Sequence, residues 1–168
     1  MTKFAYVLMV ILLMLALFCV TAGAEADTGK RYTREEAEML AKAVWGEARG
    51  CDPMQQAAVV WCVLNRVDSD NPYFPDSIAE VVAQPQQFHG YIKSNPVDED
   101  ILAIVNDVLT RWRMEESCIG NVGRVLPQNY LYFVGDGKVN IFRTHYFSGG
   151  DVWTWECANP YEHLEAAA

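Results

Sequence analysis

The stretch Asp52-Pro53-Met54-Gln55-Gln56-Ala57-Ala58-Val59-Val60-Trp61-Cys62-Val63-Leu64-Asn65-Arg66-Val67 decides the fold. Asp52 can cap a helix, Pro53 suits its first turn and Gln55 stands at the capping-box position. From Ala57 to Leu64 every residue is apolar, so most sides of the helix avoid water. Such a helix belongs at the centre of a domain, with other elements packed around it.

Upstream, Thr33-Arg34-Glu35-Glu36 is a capping box that opens another helix. Ala37, Leu40, Ala41, Val44, Trp45 and Ala48 give it one apolar face, and Gly50 is placed to end it. Downstream, Pro turns around Asn71–Pro75 lead into a short helix, Asp76 to Ala83, which Gln84-Pro85 breaks. Gln86 to Asn95 reads as loop. A third long helix is expected over 97–116, with Asp98, Glu99 and Asp100 at its start and Arg111 and Arg113 in its last turns. Its stripe is Ile101, Ile104, Val105, Val108 and Trp112. After a Gly/Asn/Pro-rich loop over 119–129, Leu131–Val134 and Val139–Phe147 flank Gly135-Asp136-Gly137 as a β-hairpin. Trp153 and Trp155 alternate with polar residues and are suited to covering an edge. The expected class is α+β, mainly helical with a small antiparallel hairpin.

Composition narrows the function. The chain has 168 residues, 51% apolar and 21% charged, with net charge −9. That is globular composition with room for one full core. Nucleic-acid binding is not expected, because phosphate contacts need clustered Lys and Arg and none occurs. Lys3 precedes seventeen apolar residues, Phe4 to Val20, and then Thr21-Ala22-Gly23-Ala24. This reads as a signal peptide over 1–24 with a small-x-small cleavage site. An uncleaved anchor is the competing reading, and only then is a membrane contact expected. Phe18 argues against a lipid anchor on Cys19. Residues 25–32 are a linker, and 33–168 form the exported domain. Cys51, Cys62, Cys118 and Cys157 remain, allowing three pairings of two disulfides. Cys118 with Cys157 is preferred, since closing that loop of about 40 residues is worth roughly 4 kcal/mol in the chain-entropy model. Cys62 also reads as a buried thiol.

Glu47 stands apart. Helical spacing from Leu40 and Val44 puts this acid on the apolar face, in the last turn of its helix. Burial and the negative helix end both favour the neutral acid. A carboxyl held protonated is what general-acid cleavage of a glycosidic bond needs. The alternative is that Arg49, Arg66 or another cation pairs with Glu47 in a structural role.

Three blocks carry a resemblance: Trp45-Gly46-Glu47-Ala48-Arg49-Gly50, Leu64-Asn65-Arg66-Val67 at the end of the central helix, and Gln84-Pro85-Gln86-Gln87-Phe88. In order and spacing they resemble the SleB-type cell-wall hydrolases, the spore-cortex-lytic enzymes and their vegetative relatives. The likeness covers residues 36–92, and the hairpin 130–147 more loosely. It implies a lysozyme-like domain that cleaves peptidoglycan between N-acetylmuramic acid and N-acetylglucosamine, as a lytic transglycosylase or muramidase. The family's catalytic glutamate falls on Glu47. In a transglycosylase the same residue protonates the glycosidic oxygen and then takes the proton of the muramoyl 6-hydroxyl. No second carboxylate is obligatory, unlike the two-carboxylate scheme. Asp68, Asp70, Asp136 and Asp151 all stand in turn-like, solvated contexts.

The substrate-binding candidates are Gln87, Phe88, Tyr91, Tyr132 and His145. A Gln amide can read sugar hydroxyls and acetamido groups, and an aromatic ring can stack on a pyranose. Phe88 also reads as a core anchor. By alternation along the hairpin Tyr130 and Tyr132 share one face, and so do Arg143 and His145; such a face suits either a cleft floor or ordinary cross-strand packing. His89 reads as an exposed loop histidine, His163 as uninvolved and Trp61 as core. His89, His145, Asp136 and Asp151 lack ligand spacing, so no metal or cofactor is expected. The partner is peptidoglycan, the place outside the cytoplasmic membrane, and the expected state a monomer. Two other functions compete. One is a cysteine-dependent wall amidase or peptidase using Cys51, which just precedes a helix. The other is a non-catalytic wall-binding protein of the same fold.

Overall fold

The structure is a computed structural model that describes residues 32–117, 120–136, 138–147 and 149–165. The leader and most of the linker, expected over 1–24 and 25–32, lie outside the described residues. So does Cys118.

Helix α1 spans Arg34–Ala48 behind a complete capping box. The Thr33 hydroxyl accepts from Glu36 N–H at 3.1 Å, and Glu36 Oε2 accepts from Thr33 N–H at 2.9 Å. Helix α2 spans Pro53–Val67 with Asp52 as its N-cap. Its residues from Ala57 to Arg66 are all buried, which makes it the central helix. Helix α3 is the short Ile78–Ala83, capped by Ser77, and α4 is Glu99–Met114, capped by Asp98. Both are a little shorter than the apolar pattern predicts, because Ser77 and Asp98 serve as N-caps just outside the helices. Helices α1, α2 and α4 pack on one another, and α3 rests on α1 and α2. Among the described residues no helix is long and apolar enough to cross a membrane.

Strands β1 (Tyr132–Gly135) and β2 (Asn140–Arg143) form a two-stranded antiparallel sheet. Tyr132 faces Arg143, Phe133 faces Phe142, and Val134 faces Ile141. The second strand stops at Arg143, well before Phe147, because the tail takes over its pairing. Val152 bridges to Arg143, and Trp153 N–H donates to Phe142 O at 3.0 Å. Trp155 then stands edge-on to Phe142, so both tryptophans cover that edge as expected.

Two polar residues at the end of α2 tie the hairpin down. Asn65 Nδ2 donates to Pro127 O at 2.8 Å and Tyr130 O at 2.9 Å. Arg66 Nε donates to Leu131 O at 2.7 Å. At the other end of the helix, Gln55 accepts from Asn140 N–H at 2.8 Å. Gln55 therefore does not close a capping box: its amide oxygen holds the hairpin, and its Nε2 donates to Asp52 at 2.6 Å. The tail is pinned by Tyr161, whose hydroxyl donates to Asp107 Oδ2 at 2.8 Å. Cys157 has a free thiol, half-buried near Val125 O; its expected disulfide partner Cys118 lies outside the described residues.

Candidate active site

A cleft of about 540 Å³ opens between the last turn of α1, the loop after α3 and the hairpin. Glu47 lines it and is the one carboxylate in that lining. Its position rests on a contact between two glycines. Gly46, in the helix, and Gly90, in the loop, have their backbones against each other. A Cβ on Gly46 would stand 1.9 Å from Gly90 O, and one on Gly90 would stand 2.4 Å from Gly46 C. Only residues without a Cβ allow this approach. It brings Gly90 N–H to Glu47 Oε1 at 2.6 Å. Asn95, buried in the same loop, locks the arrangement: its Nδ2 donates to Gly90 O at 2.8 Å and to Lys42 O at 3.0 Å. Lys42 Nζ in turn donates to Lys93 O at 3.0 Å.

The two arginines that the sequence puts forward as partners of Glu47, Arg49 and Arg66, are engaged elsewhere. Arg49 sits over the Trp45 ring at 4.6 Å. Arg66 is buried, with its guanidinium over Phe74, Phe88 and Tyr132 at 5.0 to 5.8 Å. Its Nη1 donates to Gln87 Oε1 at 3.1 Å, and Gln87 Nε2 donates to the Tyr73 hydroxyl at 3.2 Å. Among the described residues no Lys or Arg forms an ion pair with Glu47.

Gln87, Tyr132 and His145 line the cleft with Glu47, as does the exposed His89. Phe88 does not: its ring is buried, tilted against Phe133 with centroids 6.0 Å apart. Tyr91 is half-buried against the core and outside the lining. Tyr130 also leaves the site. It precedes β1, so strand alternation does not govern it, and its ring is buried edge-on to Trp153. His163 lies on a final short helix, α5 (Glu162–Glu165), away from the cleft.

Several polar lining residues were not among the substrate-binding candidates read from sequence: Arg66, Gln86, Arg143 and Tyr146. Gln86 adopts φ 63°, a left-handed backbone unusual for a residue with a side chain and a strain often found at functional sites. Its place after Pro85 is the sequence signal that could have marked it. Arg66 was visible as a charge ending an apolar helix. A second hollow of about 320 Å³ continues the cleft past Gln87 and Tyr132, between Tyr73 and Tyr146. The rings Tyr73, Phe74, Tyr132, Tyr146 and Phe147 follow one another at centroid distances of 4.8 to 5.9 Å along this extension.

The three described thiols, Cys51, Cys62 and Cys157, stand where the thiolate is disfavoured. Burial pushes the Cys51 thiol up from its ordinary value, and Asp52 and Asp136 push it further. Its sulfur receives Asn140 Nδ2 at 3.3 Å. Burial also raises Cys62 and Cys157. Among the described residues no group of three His, Cys, Asp or Glu side chains is placed to hold a metal ion.

The family model described as Cell Wall Hydrolase matches residues 51–147. The chain belongs to that family. The match takes in Gln87, Tyr132, Arg143 and His145 and begins just after Glu47. Among curated relatives, the spore cortex-lytic enzyme of Bacillus subtilis (strain 168) is 34% identical over 92 residues, which are 52% of this chain and 29% of that one. That of Halalkalibacterium halodurans is 38% identical over 82 residues, 46% of this chain and 24% of that one. The chain thus spans under a third of the length of these relatives. The crystal structure of the catalytic domain of the Bacillus cereus SleB protein aligns with a TM-score of 0.48 and 26% identity, over 68% of this chain and 80% of that one.

Proposed function

We propose that this cell wall hydrolase cleaves the glycan strand of peptidoglycan between N-acetylmuramic acid and N-acetylglucosamine, with Glu47 as general acid and base. One observation carries the reading: a lone carboxylate, unpaired by any described cation and held at Oε1 by Gly90 N–H, in a cleft flanked by aromatic rings. The carboxyl reaches the cleft without being taken up in an ion pair among the described residues, so it is available to exchange a proton with substrate. The Gly90 bond fixes its direction, so little reorganisation is needed when substrate arrives.

Glu47 gives its proton to the glycosidic oxygen as the C1–O bond breaks toward an oxocarbenium-like state. The carboxylate so formed takes the proton of the muramoyl 6-hydroxyl, whose oxygen bonds to C1 as a 1,6-anhydro ring. The proton returns to Glu47 and no water is consumed. The absence of a second carboxylate in the lining supports this lytic transglycosylase route over the two-carboxylate hydrolase. Gln87, held by Arg66 and Tyr73, is placed to read hydroxyl or acetamido groups. The name of the relatives supports cortex peptidoglycan as the substrate. The apolar run Phe4–Val20 supports export, with residues 1–24 as the leader and 33–168 as the catalytic domain.

Mass spectrometry of digested peptidoglycan tests the proposal, with Glu47→Gln as control. Glutamine can still accept from Gly90 N–H but has no proton to give and take. Loss of at least about 100-fold in rate is expected, with anhydro-muropeptides made by the wild type alone. Reducing-end muropeptides would replace the 6-hydroxyl by a water, and full activity of Glu47→Gln would end the role given to Glu47.

A further inference from the structure

The cleft has a charge opposite to that of the whole protein. The chain carries −9, yet the lining sets Arg66, Arg143 and two histidines, His89 and His145, against Glu47 alone. The two arginines differ. Arg66 is used internally, by Leu131 O, by Gln87 and by three rings. Arg143 has no carboxylate partner among the described residues, and its enclosed Nε meets no hydrogen-bond acceptor. The guanidinium charge at the cleft is therefore left without a counter-charge, which an anion in the cleft would supply.

The hairpin makes this placement deliberate in position. Arg143 ends β2 directly opposite Tyr132, so both side chains leave the same face of the sheet, into the cleft. The bridge to Val152 fixes the backbone behind it. His145 lines the cleft two residues further on. A guanidinium matches a carboxylate through paired N–H donors, whereas neutral sugar hydroxyls need no such charge.

We propose that Arg143, flanked by His145, receives a carboxylate of the substrate next to the bond that Glu47 cleaves. The inference rests on the glycan-cleavage reading and makes the cleft selective for acidic strands. Two sources share this chemistry: the lactyl carboxylate of a muramoyl residue without peptide, and the carboxylates of a stem peptide.

The test compares kcat/KM on four substrates: intact peptidoglycan, peptidoglycan stripped of stem peptides by an amidase, and each of these with its carboxylates converted to neutral methylamides. Wild type, Arg143→Gln and Arg143→Lys are assayed on all four. Neutralising the substrate should slow the wild type by about 10- to 100-fold, the range of a charge-assisted hydrogen bond. Arg143→Gln should lose as much on the charged substrates and almost nothing more on the neutral ones, and Arg143→Lys should regain part of the loss. Preference for intact over stripped strands assigns the stem carboxylate, and the reverse preference assigns the lactyl group. Equal rates of wild type on charged and neutral strands overturn the proposal. So does an Arg143→Gln defect of the same size on both, which would mark a structural role. If the wild type cleaves none of the four, the glycan reading itself falls.

Discussion

The two walls of the cleft are built in opposite ways. On the α1 side the work is done by backbone: Gly46 against Gly90, Gly90 N–H on Glu47, and Asn95 bridging Lys42 O and Gly90 O. On the hairpin side it is done by side chains on a two-stranded sheet, and Tyr146 and Phe147 are 65% and 78% exposed. A backbone-to-backbone contact has few ways to vary, which suits the placing of one acid to within a fraction of an ångström. Exposed side chains can change with little effect on the fold, which suits the reading of a substrate. The two roles proposed for these walls, placing the acid and recognising the strand, are therefore separable.

The contrast breaks first at Gly46→Ala. In an ordinary helix interior this change gains up to about 1 kcal/mol from helix propensity. Here the new methyl would lie 1.9 Å from Gly90 O, and that oxygen belongs to backbone that cannot swing aside. Overpacking of this kind costs roughly 1–3 kcal/mol or more, so the clash wins. Thermal unfolding should show a lowered Tm, and cleavage should fall with it, because the Gly90 N–H leaves Glu47. A variant as stable and active as the wild type would mean that the loop is free to retreat.

A smaller and more selective effect is expected from Asn95→Ala. Two carbonyls, Lys42 O and Gly90 O, lose their shared donor. Leaving such groups unsatisfied costs about 1–3 kcal/mol, less where water reaches them. Denaturant unfolding measures the stability, and kcat against KM separates the functional part. A fall in kcat with KM unchanged is expected, since Asn95 acts through the position of Glu47 and touches no sugar.

How much of this was legible in the residues follows the same division. The three long helices could be read because each carries an apolar stripe or an all-apolar run, and their caps Thr33, Asp52 and Asp98 are side chains with local targets. Glu47 could be read because an acid on an apolar face contradicts its own pattern. Asn95 could not, since a loop amide has no period, and one of its two acceptors, Lys42 O, lies 53 residues back in the chain. The Gly46–Gly90 contact was hidden for the same reason: each glycine looks ordinary alone. The hairpin was legible as a hairpin, but its cleft face was not. Alternation rightly joined Arg143 to His145, which both line the cleft, but it joined Tyr130 to Tyr132, whereas the pairing register sets Tyr132 opposite Arg143 and Tyr130 lies in the core. Register depends on the turn and on what borders the strand, here Val152 bridged to Arg143.

The hairpin wall sharpens the comparison from its weak side. Tyr146→Ala removes a ring that is largely exposed and stands edge-on to Tyr132 at 5.8 Å and to Phe147 at 4.8 Å. Little apolar area is buried there, so stability should change by no more than about 0.5 kcal/mol. The ring also borders both the Glu47 cleft and its extension. Loss of a stacking surface for a sugar remote from the scissile bond removes binding that is equal in ground and transition states. KM should therefore rise several-fold on long strands with kcat kept, and short glycan fragments that do not reach the extension should be cleaved as before. If short and long strands suffer alike, Tyr146 acts on the geometry around Glu47 after all, and the two walls are not separable. An unchanged KM on long strands would instead confine strand recognition to the cleft proper, around Gln87, Tyr132 and Arg143.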